Sequence, residues 1–362
     1  MGQPHGIGII GLGVISRQYL DTLAEHPGVR IVATADLDPA RAEEAAAQVP
    51  GCRALTVDEL IADPAVETII NLTIPAAHAE VALAALAAGK SVFGEKPLAT
   101  TMPDARSVIA AAGPGWVGSA PDTVLGTGVQ TARAVVDTGG IGRPVSAVAT
   151  WVSPGHEAWH PHPDFYYREG GGPLLDMGPY YLTTLFHLLG PVARVTGASS
   201  RPRATRTIGS GPRAGETIPV EVDTHVTGVL EHVGGAVSTV TFSFDAAGTD
   251  AAPLEIHGET GTLSVPDPNH FDGDVRVRRP GDKEWSPVAE RAGYEGAGRG
   301  IGIVDRLRTG AGGATGEIAL HVLEIMTALG DSARTGRRIE LTTAPERPAL
   351  VPFTPIASWR TA

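Results

Sequence analysis

The residues best suited to chemistry in this chain begin with a glycine-rich hexad. Gly11-Leu12-Gly13-Val14-Ile15-Ser16 directly follows the apolar run 7–10 and opens a helical pattern. In that context a G-x-G-x-x-G/A segment binds a dinucleotide. Its glycines form the tight turn, and backbone N–H groups at Gly13, Val14 and Ile15 meet a pyrophosphate at the helix N-terminus. Ser16 takes the third glycine position and is small enough for close packing. Asp36 ends the next apolar run, 31–35, where a carboxylate hydrogen-bonds ribose hydroxyls and repels a 2′-phosphate. NAD is therefore expected as the cofactor rather than NADP. The alternative role for Asp36 is to cap the helix beginning near Pro39, which Asp38 could do as well. Lys96 is one of only three lysines among 28 basic residues, and it stands in Gly94-Glu95-Lys96-Pro97-Leu98 after the fourth strand. Thr73, Pro75 and His78 follow the third. Open α/β sheets bind ligands outside the carboxyl ends of their strands, so Thr73, Pro75, His78, Glu95 and Lys96 converge on the nicotinamide end of the cofactor.

A further cluster runs from His156 to Arg168: His-Glu-Ala-Trp-His-Pro-His-Pro-Asp-Phe-Tyr-Tyr-Arg. Imidazoles beside flat aromatics suit a polyol ring, which needs polar partners for its hydroxyls and an apolar surface for its C–H side. Trp159, His160 and Tyr167 are the expected substrate contacts. The sharper alternative is a zinc site of His156, His160 and His162, but prolines beside the last two argue against convergence, and no metal is expected. The blandest alternative is a structured loop whose aromatics pack on a sheet.

These residues require elements to hold them. Short β-branched runs at 7–10, 30–35, 68–72, 91–93 and 116–118 alternate with helical patterns at 16–26, 39–48, 57–62, 76–88 and 103–112. Such a series of βαβ units closes into a doubly wound parallel sheet with helices on both faces. After a helix at 127–138 the pattern changes to strands at 143–152, 192–200, 218–233, 236–245, 253–257, 261–265 and 274–279, many alternating apolar with polar residues. They predict a large open, mostly antiparallel sheet. A helix at 314–331 and a last strand at 338–341 follow. Gly113, Pro114 and Gly115 mark the boundary, giving a dinucleotide-binding domain over 1–120 and a second domain over 121–362.

Composition removes other function classes. The 362 residues are 42% hydrophobic and 19% charged, within the globular range. A net charge of −12 repels phosphate backbones and anionic lipid, so neither nucleic acid nor a membrane is an expected partner. Cys52 is the only cysteine, which excludes an intrachain disulfide and a cysteine metal cluster. Residues 1–16 lack the basic flank of a signal peptide, and no apolar run reaches the roughly 20 residues of a membrane span, so the expected location is cytoplasmic.

Residues 11–16, Pro75 with His78, Ala88-Gly89-Lys90, Glu95-Lys96-Pro97, Gly139 to Gly142, the segment from Gly170-Gly171-Gly172 to Asp176 and Gly178, and Gly258 to Gly261 form a pattern. It resembles that of the Gfo/Idh/MocA family of NAD(P)-dependent sugar and cyclitol oxidoreductases. The resemblance implies a Rossmann domain followed by an α/β domain whose open sheet makes homodimer or homotetramer contacts. It also implies that Lys96 is the active-site lysine and Asp176 its carboxylate partner in the pattern. Most members carry histidine four residues after that aspartate; here Tyr180 replaces it, as in the branches similar to glucose-fructose oxidoreductase and dihydrodiol dehydrogenase. Asp176 and Tyr180, four apart on one helix, share a face.

Hydride transfer from a carbinol carbon requires the hydroxyl proton to leave, and an ammonium beside that oxygen stabilises the developing alkoxide. In this reading Tyr180 exchanges the proton, Lys96 orients the hydroxyl and Asp176 hydrogen-bonds substrate or lysine. The expected reaction is NAD-dependent oxidation of a ring secondary alcohol of a sugar, glycoside or cyclitol. One alternative is an NADP-linked aldose or carbonyl oxidoreductase, favoured by Tyr180 and disfavoured by Asp36. Another is transient use of bound NAD to cleave a glycoside. The last is a non-catalytic dinucleotide-binding regulator, against which the intact Lys96 argues.

Overall fold

The computed structural model describes residues 3–24 and 26–360. They fall into two compact units. The first comprises Met1–Thr127, Ala292–Leu320 and Pro348–Ala362, and the second Gly128–Arg291 and His321–Arg347.

The first unit opens with β1 (His5–Ile10), α1 (Ser16–Leu23), β2 (Val29–Ala35), α2 (Pro39–Ala47), β3 (Arg53–Ala54) and α3 (Val57–Ala62). It continues with β4 (Thr68–Asn71), α4 (His78–Ala87), β5 (Ser91–Gly94), α5 (Met102–Ala110) and β6 (Val117–Ser119). The strands lie in the order β3-β2-β1-β4-β5-β6, every pair parallel. Ile7, Ile9, Ile10, Ile69, Ile70 and Phe93 are buried, as expected of strands covered on both faces. Polar caps set the helix starts: Thr56 and Glu59 form a reciprocal capping box on α3, and Thr101 accepts from Asp104 N–H at the start of α5.

The second unit contains α6 (Thr127–Asp137, from its second residue), β7 (Pro144–Val152), α7 (Pro173–Leu189), β8 (Val192–Ser200), β9 (Thr205–Thr207) and β10 (Thr217–Pro219). Then come β11 (His225–His232), β12 (Val237–Ser243), β13 (Leu254–Gly258), β14 (Gly261–Val265), β15 (Arg276–Arg278) and β16 (Ser286–Pro287), with β17 (Ile339–Glu340) near the C-terminus. Nine strands form one sheet, β16-β15-β14-β13-β7-β12-β11-β8-β17, antiparallel except for β7 with β12. Along β11 and β12 alternate residues are buried, Val226, Leu230, Val240 and Phe242 among them, and α7 packs on these strands. The opposite face carries Val148, Thr239, Val229 and Thr196 in register across four strands.

Three expectations change. The run 218–233 is not one strand: β10 pairs with β9 in a separate two-stranded sheet, and β11 begins at His225. Pro219 lacks the N–H that a longer ladder would need. The chain is also not divided by a single cut at 120, because Ala292–Leu320 and Pro348–Ala362 belong with the first unit. That returning chain includes α8 (Ile301–Thr309), which the sequence reading did not anticipate, and α10 (Ile356–Trp359); α9 (Gly316–Thr335) lies between them. Glycines in left-handed geometry bound α8 at both ends.

Candidate active site

In the first unit the glycine loop joins β1 to α1. Gly11 has φ +93°, and a Cβ there would lie 2.6 Å from the Leu72 carbonyl carbon, so only glycine fits. At Gly13 the Cβ position faces open space, and α1 has no side-chain cap, which leaves the helix's positive end to an anion. Ser16 turns its hydroxyl onto the Gly13 carbonyl at 2.7 Å. Asp36 lies beside this loop: Oδ2 accepts from Leu12 N–H at 2.7 Å and Oδ1 from Asp38 N–H at 2.9 Å. The cap of α2 is Asp38, which accepts from Ala40 N–H at 3.1 Å. Val14 and Leu37, each 96% exposed, and Ile74 rim the strand ends with apolar surface. A side-chain-free cradle, an uncapped helix end, a carboxylate and an apolar rim together fit an adenine dinucleotide.

On the neighbouring strand ends, Thr73 donates its hydroxyl to Asn71 Oδ1 at 2.7 Å, and Pro75 opens a single helical turn. His78 is buried, with Nδ1 2.6 Å from the Pro97 carbonyl and Nε2 2.9 Å from the Thr73 carbonyl. Glu95 is buried too: Oε1 accepts from the Tyr19 hydroxyl at 2.8 Å and Oε2 from Lys96 N–H at 3.0 Å. Burial first, and then the Glu95 charge, push Tyr19 well above the usual phenol range, so it remains a donor. His78 and Glu95 therefore lie behind the crevice rather than in it, and they fix Thr73 and Lys96 in place. Lys96, just past β5, is half-buried. Asp122 is a structural group that sequence reasoning did not use. It is fully buried, and Oδ2 accepts from Gly300 and Gly302 N–H at 2.8 and 3.1 Å. Burial raises it to about 6 against the pull of Arg299.

In the second unit Asp176 lies in the first turn of α7, where the helix dipole favours a carboxylate, and Tyr180 follows one turn on, buried. The loop from His156 to Arg168 folds against this helix end. His156 Nε2 lies 2.8 Å from Asp176 Oδ2, a contact that sequence reasoning missed. Nothing in the spacing links a loop histidine with a helix aspartate twenty positions later; only the fold brings them together.

Of the expected substrate contacts, Trp159 is 59% exposed, and His160 packs between the rings of Trp159 and Phe165 at 5.3 and 5.5 Å. Burial first, and then the neighbouring His156, hold the His160 ring below its ordinary range. Tyr167 is not a contact residue. It is fully buried with Ile208, Ile218, Val220 and Phe244, and its hydroxyl donates to Glu157. Its apolar ring joins the core while the loop's own carboxylate satisfies the phenol. His160 Nδ1 accepts from His162 N–H at 3.0 Å, and among the described residues no three His, Cys, Asp or Glu side chains are grouped to hold a metal.

Comparison with known proteins places this geometry. Residues 5–113 match the oxidoreductase family model with the NAD-binding Rossmann fold, and residues 129–264 match the GFO/IDH/MocA C-terminal domain. A 1,5-anhydro-D-fructose reductase of Ensifer adhaerens is 32% identical over 195 residues, 50% of this chain and 56% of that protein. The chain thus aligns with only about half the length of that relative. A dTDP-3,4-didehydro-2,6-dideoxy-alpha-D-glucose 3-reductase of Saccharopolyspora spinosa is 28% identical over 354 residues, 93% of this chain and 99% of that one. A levoglucosan dehydrogenase solved with NADH and L-sorbose shares the fold, with a TM-score of 0.79 at 22% identity, over 94% of this chain and 100% of the other. With its dinucleotide-binding unit and C-terminal domain both matched, the chain belongs to the GFO/IDH/MocA family of oxidoreductases with an NAD-binding Rossmann fold.

Proposed function

We propose that this protein transfers hydride between NAD and a ring secondary alcohol of a sugar, glycoside or cyclitol. The reading is carried by the pairing of the Gly11–Asp36 crevice with Lys96 at the adjoining strand end, in a chain whose relatives are named as sugar reductases and inositol 2-dehydrogenases. Gly11, Gly13, Val14, Ile15, Asp36, Thr73 and Pro75 would hold the dinucleotide, with His78 and Glu95 bracing them from behind. The nicotinamide, when bound, supplies the hydride acceptor. Lys96 orients the substrate hydroxyl and stabilises its developing negative charge. Asp176 and Tyr180, one turn apart on α7, are the two candidates to bond the substrate hydroxyl and exchange its proton, and Trp159 and His160 provide ring-facing surface. The Asp36 carboxylate, already drawn to the glycine loop, disfavours a 2′-phosphate and selects NAD.

The Val148, Thr239, Val229 and Thr196 face, on the side of the sheet opposite α7, is proposed as the contact of a homodimer or homotetramer. Among the described residues no helix is long and apolar enough to cross a membrane, and we assign the protein to the cytoplasm. The test is formation of reduced nicotinamide with a panel of cyclitols, sugars and anhydrosugars, with NAD and NADP compared. Activity with NAD that Lys96→Met abolishes supports the reading, whereas tight NAD binding with no polyol oxidised would favour a regulator. Light scattering of the wild type against Val229→Lys tests the oligomer.

A further inference from the structure

The second unit contains a histidine whose placement the family pattern does not supply. His156 comes from the one-turn helix His156–Ala158, and its Nε2 meets Asp176 Oδ2 at 2.8 Å. The side chains are 10% and 17% exposed, so Asp176 is the outward member of the pair. The other ring nitrogen, Nδ1, is buried and has no hydrogen-bond partner. Four aromatic rings enclose the imidazole, with centroids at 4.4 Å (Tyr166), 4.8 Å (Phe244), 5.2 Å (Trp159) and 5.8 Å (Trp151).

The backbone that carries His156 is firmly held. Gly155 has φ +113°, a geometry that suits glycine, and the next residue, Glu157, accepts from Arg206 and from the Tyr167 hydroxyl. The Glu157 carbonyl accepts from Gly209 N–H at 2.7 Å, and the His156 carbonyl from His160 N–H at 2.8 Å. Arg206 is itself fixed by Asp245 and by the Pro154 and Phe244 carbonyls. A loop that served only as cover would not need a buried guanidinium hub to set one imidazole against one carboxylate.

We propose that His156 is the positioning partner of Asp176, its Nε2–H fixing the carboxylate so that Asp176, rather than the Tyr180 phenol, receives the proton released by the substrate hydroxyl. The inference rests on the oxidoreductase reading above. As the substrate's C–H bond breaks and its hydride leaves to the nicotinamide dinucleotide, the O–H bond breaks and the proton passes to the Asp176 carboxylate, which keeps its Oδ2 on the His156 Nε2–H. The carbon–oxygen bond becomes a carbonyl, and the proton later leaves through the more exposed aspartate. In the reductive direction the same pair donates it. His156 is a positioning residue, since it acts through Asp176. The charged and titratable groups facing it are Asp176 on α7 and His160 and Tyr166 on its own loop, with the Glu157–Arg206–Asp245 web behind.

Two measurements decide the matter. The first is nitrogen NMR of the histidine rings across a pH series, which needs no substrate. The pair predicts that Asp176→Asn moves the ring-nitrogen resonances of His156 while leaving those of His232 and His321 unchanged; an unchanged His156 overturns the proposal. The second is kinetic. His156→Gln replaces the caged imidazole by a flexible amide that cannot hold the carboxylate in place, so kcat should fall on the order of 10²-fold with KM and NADH binding retained. The loss should lessen as pH rises, and imidazole in the medium should partly restore His156→Ala. Tyr180→Phe should lose less than His156→Gln; the opposite order, or His156→Gln with wild-type kcat at every pH, sinks the idea. If no ring alcohol is oxidised, the reaction reading fails by itself, and the NMR arm still decides the pair.

Discussion

Two buried histidines of the second unit each lie near a carboxylate, and they differ in how the ring is satisfied. His321, on α9, accepts from Val192 N–H through Nε2 at 3.0 Å and meets the Thr343 hydroxyl oxygen through Nδ1 at 2.7 Å. Thr343 in turn donates to Glu324 Oε2 at 2.6 Å. Both nitrogens are used and only a neutral ring fits, so burial lowers His321 to about 4. His156 touches its carboxylate directly and leaves Nδ1 unmatched inside an aromatic cage. A histidine with every bond satisfied in one protonation state is scaffold. One that bonds a partly exposed aspartate directly is placed to hold that carboxylate for a reaction.

The comparison can be broken from either side. The largest effect is expected from Asp176→Ala, which should lower kcat/KM about 10³-fold, or ~4 kcal/mol of barrier, with thermal stability nearly unchanged. A Tm that falls as far as the activity would make the pair scaffold. Next, His321→Ala should cost about 4 kcal/mol of stability through the orphaned Val192 N–H and the cavity left behind, while kcat of the folded enzyme is retained; urea unfolding with activity assays on the same samples checks both.

The third expectation concerns pH. Because the folded His321 ring is held at about 4 against an ordinary 6.5, the unfolded chain binds the extra proton first. Its contribution to stability is intact above 6.5, declines as pH falls toward 4, and amounts to about 3 kcal/mol. The pH dependence of unfolding in His321→Gln should lack this component, and an identical slope would contradict the neutral ring. Burial opposes the ionisation of Glu324, but hydrogen bonds from Thr342 and Thr343 outweigh burial and hold it below the usual carboxylate range. The smallest effect is that of Tyr167→Phe, which should cost about 1 kcal/mol and leave KM unchanged, because that phenol serves Glu157 rather than a ligand.

Much of the first unit was legible in the sequence because buried parallel strands read as apolar runs and the glycine loop is local. Gly11 through Ser16, Asp36 and Lys96 stand at strand ends that periodicity alone locates. Tyr167 was misassigned because burial of one aromatic among several in a loop depends on β9 and β10, short strands that carry little pattern. His78 and Glu95 were placed correctly along the chain, but pattern cannot distinguish a residue facing the crevice from one bracing it. The His156–Asp176 pair was invisible because it joins elements through tertiary folding alone. The division of the chain escaped for a similar reason, since nothing in the residues around 292 or 348 announces a return to an earlier unit.

That return has a consequence for biosynthesis. Trp359 is fully buried in the first unit, where its ring stacks with His26 at 6.3 Å and its indole N–H donates to the Glu295 carbonyl at 2.9 Å. The dinucleotide-binding unit, whose sheet is translated long before, therefore lacks a core tryptophan until residue 359 has left the ribosome. A nascent chain stalled after residue 127 should be open to protease where the released protein is not.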